Sequence, residues 1–399
     1  MSRLPTALRP WWPVLKRGHR VLSVLLGAAY RRLSGMLGPR GLPRTGRLRS
    51  ADTAAAEPAA VSLHPGGPAE EIVRRLPDGE PGGHWRFRQA ETARVPARYV
   101  LEVKDGRLAG DFGATITPGG ALDYQTSGYF GIAGWREHPL FLHPTLGRVE
   151  RVPGTVLSLT TRGTAGNYYH FLYDAIARYG IFEESMPGVR PDAIVVPHAT
   201  GYQRALLELA GIEGPFVQPR PGVTVQADRL LVPSTPNQDL DAPPWVVDWL
   251  RRRLPPRASG EGPRRLYLTR GDQPNTRRYV QEPELWPWLE QRGFVRVDAG
   301  SFSVQEQIDL FSGAEVVVAP HGAALTNITF CRPGTRVLEL FASTYVHLGL
   351  WTIADAAGLD YQYLVADGDH RPGRPMHGNY ADVSIPVRRV QETIEKLLA

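Results

Sequence analysis

An α/β chain with two Rossmann-like domains is predicted by three observations. Strands and helices alternate in two separate runs, and a stretch rich in Pro, Asp and Arg, 236–263, divides them. Ahead of the first run, short strands and Gly turns predict an N-terminal β-meander. The expected organisation is a basic tail and linker over 1–81, a first domain over 82–235, a hinge over 236–263 and a second domain over 264–399.

A chain of 399 residues is long enough for two separate cores. Its one cysteine, Cys331, excludes an internal disulfide and a cysteine-rich zinc site, and fits a reducing compartment. The net charge of +6 is unevenly spread. Up to Ser50 there are eleven Lys or Arg and no acid, which leaves 35 basic against 40 acidic residues in the remainder. The body is mildly acidic, so a nucleic-acid partner has no basic surface to rest on.

The tail has a helical pattern. Leu15, Leu22, Leu25, Leu26, Ala29, Leu33, Met36 and Leu37 recur on one face, with Lys16, Arg17, Arg20, Arg31 and Arg32 mostly off it. The apolar run from Val21 to Tyr30 is ten residues, against roughly 20 for a bilayer span, and no small-residue cleavage site follows it. Residues 11–37 therefore read as a basic amphipathic helix for an anionic membrane surface; a disordered basic arm has the same composition. From Gly38 to Pro81, Ala, Pro, Gly and Arg without periodicity predict a linker.

Tyr99 to Val103 alternates as a strand should, and turns follow at Pro118-Gly119-Gly120 and Pro153-Gly154. Val156 to Leu159 reads as a buried strand. In Gly166-Asn167-Tyr168-Tyr169-His170-Phe171-Leu172-Tyr173-Asp174, Asn167 can cap a helix and His170 and Asp174 then share one face. Such a pair can accept a proton from a substrate hydroxyl in a cleft, or simply stabilise the helix. Metal binding would need a third ligand, and none has suggestive spacing. Further strands are expected at Ala193–Val196 and Leu230–Val232, with a helix at Gln203–Leu209 between them and another at Trp245–Arg253.

The second run opens with the strand Arg264–Leu268 and the turn Thr269-Arg270-Gly271-Asp272, followed by Arg277 and Arg278. Next come a helix over 284–291, a strand over 295–297 and a helix after Ser303, whose Ser303-Val304-Gln305-Glu306 is a capping box. The apolar run Val316 to Ala319 then meets Pro320-His321-Gly322, a short helix follows, and Val337 to Leu340 makes the next strand. A strand, a Gly turn and a helix start can hold a phosphate on backbone N–H groups. An ordinary βαβ turn has the same spacing. His321 would lie at the rim of that site, and Glu339 at the end of the neighbouring strand, where a carboxylate can bind sugar hydroxyls. Arg270, Arg277 and Arg278 follow a strand of the same sheet and could face the same phosphates. Tyr361–Val365 and Val390–Leu398 read as a last strand and a terminal helix.

Gly166 to Asp174, Leu266 to Arg278 and Pro320-His321-Gly322-Ala323-Ala324-Leu325-Thr326-Asn327 together resemble glycosyltransferase family 61, over roughly 98–398. The resemblance implies a GT-B fold with two domains facing across a cleft, and inverting transfer from a nucleotide-sugar, often a UDP-sugar. Bacterial relatives serve capsular or other surface polysaccharides, which implies a glycan or lipid-linked glycan acceptor and a cytoplasmic site at the inner face of the membrane. By the same match His321, Gly322, Ala323 and Asn327 fall in the donor site, Arg270 and Arg278 on the diphosphate, and His170 and Asp174 on the acceptor-side helix. The chain departs from the pattern at Ala324, where the family usually has Gly, and at Ala177, where it often has Pro. No cofactor beyond the nucleotide-sugar is expected. The Asp-x-Asp matches Asp239-Leu240-Asp241 and Asp367-Gly368-Asp369 are explained by turn chemistry, so an essential metal is not expected either. A polysaccharide pyruvyltransferase and a non-catalytic carbohydrate-binding or export scaffold are the rival readings; donor identity separates the first and donor hydrolysis the second.

Overall fold

The computed structural model describes residues 11–77, 83–236, 241–258, 262–271, 277–368 and 381–399. Asp239, Leu240, Asp272 and Asp369 lie outside the described residues. The chain forms two compact units. Among the described residues, unit one takes 11–70 and 96–236, and unit two takes 71–95 and the chain from 237 on.

Unit one is built on a ten-stranded mixed sheet. Its centre is the strand Val223–Pro233, which pairs in parallel with Arg148–Ser158 and antiparallel with Tyr99–Lys104 and Arg107–Ala109. The expected meander is present as Arg107–Ala109, Ala114–Ile116 and Ala121–Asp123, antiparallel in succession. Leu101, Val103, Val156, Val195, Leu230 and Val232 fill one buried cluster on this sheet.

The expected linker is instead part of the sheet. Thr45–Arg47 pairs with Ala121–Asp123, and Val61–Pro65 with Tyr99–Lys104. The hydroxyls of Ser50 and Thr53 donate to the buried Asp123 carboxylate at 2.9 and 2.6 Å. Strands of three and five residues are too short to impose a visible period on the sequence, which is why composition alone suggested disorder. The tail helix α1, Trp12–Leu33, is also docked on unit one. Arg20 pairs with Glu137 at 2.6 Å, and the Arg31 guanidinium lies 5.2 and 5.0 Å from the Trp135 and Phe141 ring centroids. Gly27 is buried against Phe141, where a β-carbon would come within 2.7 Å. No helix among the described residues is long and apolar enough to cross a membrane.

Unit two contains a five-stranded, wholly parallel sheet: β1 (Arg265–Leu268), β2 (Phe294–Val297), β3 (Val316–Pro320), β4 (Arg336–Phe341) and β5 (Asp360–Val365), in the order β2-β1-β3-β4-β5. Val316 and Val318 of β3, Leu338 and Leu340 of β4, Leu285 and Leu289 of the helix Glu282–Gln291, and Ile394 of the terminal helix Val387–Leu398 share one core. The Ser303–Glu306 capping box forms as read: the Ser303 N–H donates to Glu306 at 2.7 Å and the Glu306 N–H to Ser303 at 3.3 Å.

Two boundaries differ from expectation. The segment 236–263 carries the helix Pro244–Arg253, whose Val246, Val247 and Leu250 are buried. Its Arg251 donates to the Thr329 carbonyl at 2.6 Å and to that of Cys331, so the helix is a packed part of unit two and not a hinge. Residues 71–95, expected in the linker up to 81 and in the first domain from 82, also fold with unit two. Phe87 lies 4.5 Å from the Tyr363 ring and 5.2 Å from that of Trp351, whose indole donates to the Arg75 carbonyl at 3.1 Å. An isolated turn of aromatic residues can join any core that offers it a slot, and sequence order does not say which.

Candidate active site

In unit two the strand order reverses between β1 and β3, and in such sheets ligands bind outside the carboxyl ends of the strands at that reversal. Arg270 lies just beyond β1 and His321 just beyond β3. They meet there: the Arg270 guanidinium donates to the His321 carbonyl at 3.3 Å. Gly322 makes that approach possible. Its backbone is extended, which any residue could adopt, but a β-carbon would overlap the Arg270 guanidinium. The residues that follow, Ala323–Phe330, form a 3-10 helix and not an α-helix. Ala324, where glycine would be usual, lies within it and has no left-handed backbone, so its methyl is accommodated without strain.

His321 is buried apart from an edge, 8% exposed. Its Nδ1 is bonded to Glu339 of β4, whose other oxygen accepts from the Tyr361 hydroxyl of β5. Glu339 is therefore fully buried and mid-strand, with both oxygens taken by protein groups; the sugar-hydroxyl role read from sequence is replaced by a hold on His321. Burial pushes its carboxyl up to about 8, against the pull of the Tyr361 hydroxyl and Arg277. Burial, and then the Arg277 and Arg270 guanidiniums, hold His321 well below its usual range. An uncharged acid beside an uncharged imidazole follows, with Nε2 the ring's remaining polar atom.

Phe341, Tyr345 and His347 surround this imidazole with centroids at 5.3, 5.3 and 5.7 Å. The Arg277 guanidinium lies 5.6 Å from the Tyr345 ring centroid. Arg277 has a left-handed backbone, φ 77°, and its N–H and that of Arg278 donate to Asp382 at 2.8 and 3.0 Å. Burial, then Arg277, lowers Arg270 to about 10, so it stays cationic at neutral pH. Asn327 is fully buried. Its amide donates to Gln307 at 2.8 Å and to the Ala324 carbonyl at 3.1 Å, which makes it a brace for the 3-10 helix.

In unit one, His170 and Asp174 lie in one continuous helix. Asn167 accepts from the His170 N–H at 3.3 Å as a cap, one α-turn follows, then a π-helical stretch, Phe171–Ile176, and then Ala177–Ser185. Ala177 continues the helix without a break. His170 Nδ1 is 2.8 Å from Asp174 Oδ2, and both side chains are buried. Phe130, partly exposed, lies 5.1 Å from the imidazole, and a β-carbon at Gly163 would overlap it. A π-turn widens a helix locally and is frequent at functional sites.

Tyr361, Tyr345, His347 and Asp382 were not singled out in the sequence. The available signal was Glu339 itself, because a carboxyl inside a fully apolar parallel strand has to be neutral or partnered. A cavity of about 460 Å³ lies at the opposite, amino-terminal edge of the sheet, lined by Arg264, Arg265, Arg332 and Arg336 among others. Arg264 is held by Glu315, Arg265 by the Arg292 carbonyl at 2.5 Å and Arg336 by the Leu397 carbonyl at 2.5 Å, so structure accounts for most of its charge. Among the described residues no three His, Cys, Asp or Glu side chains are grouped to hold a metal ion. Cys331 is buried, which pushes its thiol up to about 12.

Residues 168–338 match the family model described as Glycosyltransferase 61, a span that contains both the His170 helix and the His321 turn. The chain is a glycosyltransferase. The match supports family 61 for this glycosyltransferase. No curated protein matches it. Among solved structures it is similar to E. coli heptosyltransferase WaaC with ADP, at 10% identity, over 61% of this chain and 97% of that one, with a TM-score of 0.29. That likeness is too loose to place residues by.

Proposed function

We propose that this glycosyltransferase moves a sugar, with inversion, from a nucleotide-sugar, a UDP-sugar, to a glycan or lipid-linked glycan acceptor in bacterial surface or capsular polysaccharide biosynthesis. On this reading the two units are the two halves of a GT-B enzyme, working in the cytoplasm at the inner face of the plasma membrane with contact through residues 11–37. The observation that carries it is the meeting of Arg270 and His321 at the switch point of a parallel sheet.

The acceptor hydroxyl attacks the anomeric carbon as the nucleoside diphosphate leaves. Arg270, Arg277 and Arg278, with His321 and the backbone from Gly322 and Ala323, stabilise the charge on the departing diphosphate. Guanidiniums and oriented N–H groups can do this without a metal ion. Glu339 and Asn327 hold the turn in place. His170 takes the hydroxyl proton and Asp174 orients its ring.

UDP at about 100 times its Kd should stabilise the protein by about 2.7 kcal/mol, seen as a rise in melting temperature. Arg270→Ala, His321→Ala and Gly322→Ala should each remove most of that rise, the last because its methyl displaces Arg270. An unchanged rise in all three would place the nucleotide elsewhere. Hydrolysis of the UDP-sugar separates the enzyme from a carbohydrate-binding scaffold, which would show none.

A further inference from the structure

Helix α1 faces outward with the wrong side for water. Val14, Leu15, Val21, Leu22, Leu25 and Leu33 are all exposed, Leu25 by 62%. At 100° per residue they occupy about a third of the helix circumference. Ser23 and Gly27, on the opposite side, are the residues buried against unit one. A helix that served only to cover the body would bury its leucines and expose its serine. Trp11, 60% exposed, stands at its start. Arg17 is exposed beside the apolar face and Arg32 within its arc, and residues 1–50 contain no acid at all.

We infer that this face of α1 lies in the interfacial layer of an anionic lipid membrane while its other face stays docked on unit one. The charge decides the occupant: an aliphatic strip carrying cations and free of acids complements a surface of acyl chains and anionic headgroups. Lys16, Arg17 and Arg20 fall inside the helix, which favours lying in the surface over crossing it. The Arg20–Glu137 pair and the stacking of Arg31 on Trp135 and Phe141 fix the helix to the sheet, so the lipid contact is a rigid foot and not a loose tether. This inference rests on the membrane contact proposed above and adds the face that makes it.

The test uses the full chain, because removing 1–81 would also remove strands of unit one. Flotation is measured with vesicles of phosphatidylcholine alone and of phosphatidylcholine with phosphatidylglycerol in equal parts. The wild-type protein should float with the anionic vesicles, less so in high salt. The double variant Leu22→Glu/Leu25→Glu should lose at least about tenfold in partition, since each leucine forfeits burial in the acyl region. Its melting temperature should not change, because both positions are exposed. Equal partition of the variant would overturn the assignment of the face while leaving membrane contact standing. No flotation of the wild type with either vesicle would overturn both. A wild-type dimer in light scattering that the double variant dissolves would assign the face to a second copy of the chain and overturn the lipid reading.

Discussion

His170→Ala is expected to lower sugar transfer by about 100-fold or more while UDP-sugar affinity survives. Loss of a base removes an interaction made only as the proton moves, so turnover falls and ground-state binding does not. The geometry favours the imidazole as acceptor of that proton. Asp174, 2.8 Å from Nδ1, can hold one ring nitrogen protonated and present the other as a base. Asp174→Asn should therefore reduce transfer less than His170→Ala, because a ring that is poorly oriented still carries a basic nitrogen. Single-turnover transfer and, separately, calorimetric donor binding check the pair of variants. Near-normal transfer in His170→Ala would end its role as base. Lost donor affinity would instead assign this helix to the donor site.

The second large effect is on stability, at Glu339. Glu339→Ala leaves the Tyr361 hydroxyl and His321 Nδ1 buried without this partner, at about 1–3 kcal/mol each, and opens a cavity beneath β4 besides. A loss of about 3 kcal/mol or more is expected in denaturant melts. Glu339→Gln should lose far less, because an amide copies the neutral acid: its oxygen accepts from Tyr361 and its nitrogen donates to His321. The wild type and Glu339→Gln also differ with pH. The folded carboxyl is raised from 4.5 to about 8, so the folded state binds more protons than the unfolded one between those values. The stability this group contributes is present below pH 4.5 and is lost as pH rises through about 8. Melting temperatures of the wild type should thus fall across that window by an amount missing from Glu339→Gln. Parallel profiles for the two proteins would show that Glu339 is not the titrating group.

Much of this was legible in the sequence where a local rule sufficed. The capping box at Ser303, the Asn167 cap and the run Val316–Ala319 ending at His321-Gly322 each depend on a few adjacent residues. The alternation of strand and helix gave the parallel sheet of unit two, although not its strand order. What the sequence withheld depends on distant partners. Glu339 reads as a strand-end ligand until His321 and Tyr361, 18 and 22 residues away, are seen to occupy both oxygens. Asn327 reads as a donor contact until Gln307, 20 residues back, takes its amide. The stretch from Gly38 looked unstructured because its strands borrow their order from neighbours elsewhere in the sheet.

The split of unit two has a consequence for how the protein is made. Arg75 receives its bond from Trp351, 276 residues later, and Phe87 packs on the same indole. At roughly 5–20 residues per second the ribosome needs about 15–55 s to cover that distance. During that interval residues 71–95 have left the tunnel with their apolar side chains unsatisfied, while 96–236, inserted between the two pieces, already hold most of what unit one needs. The inserted unit can therefore fold first. The segment carrying Phe87 waits for its partners until the last strands emerge, and that wait lengthens as synthesis slows.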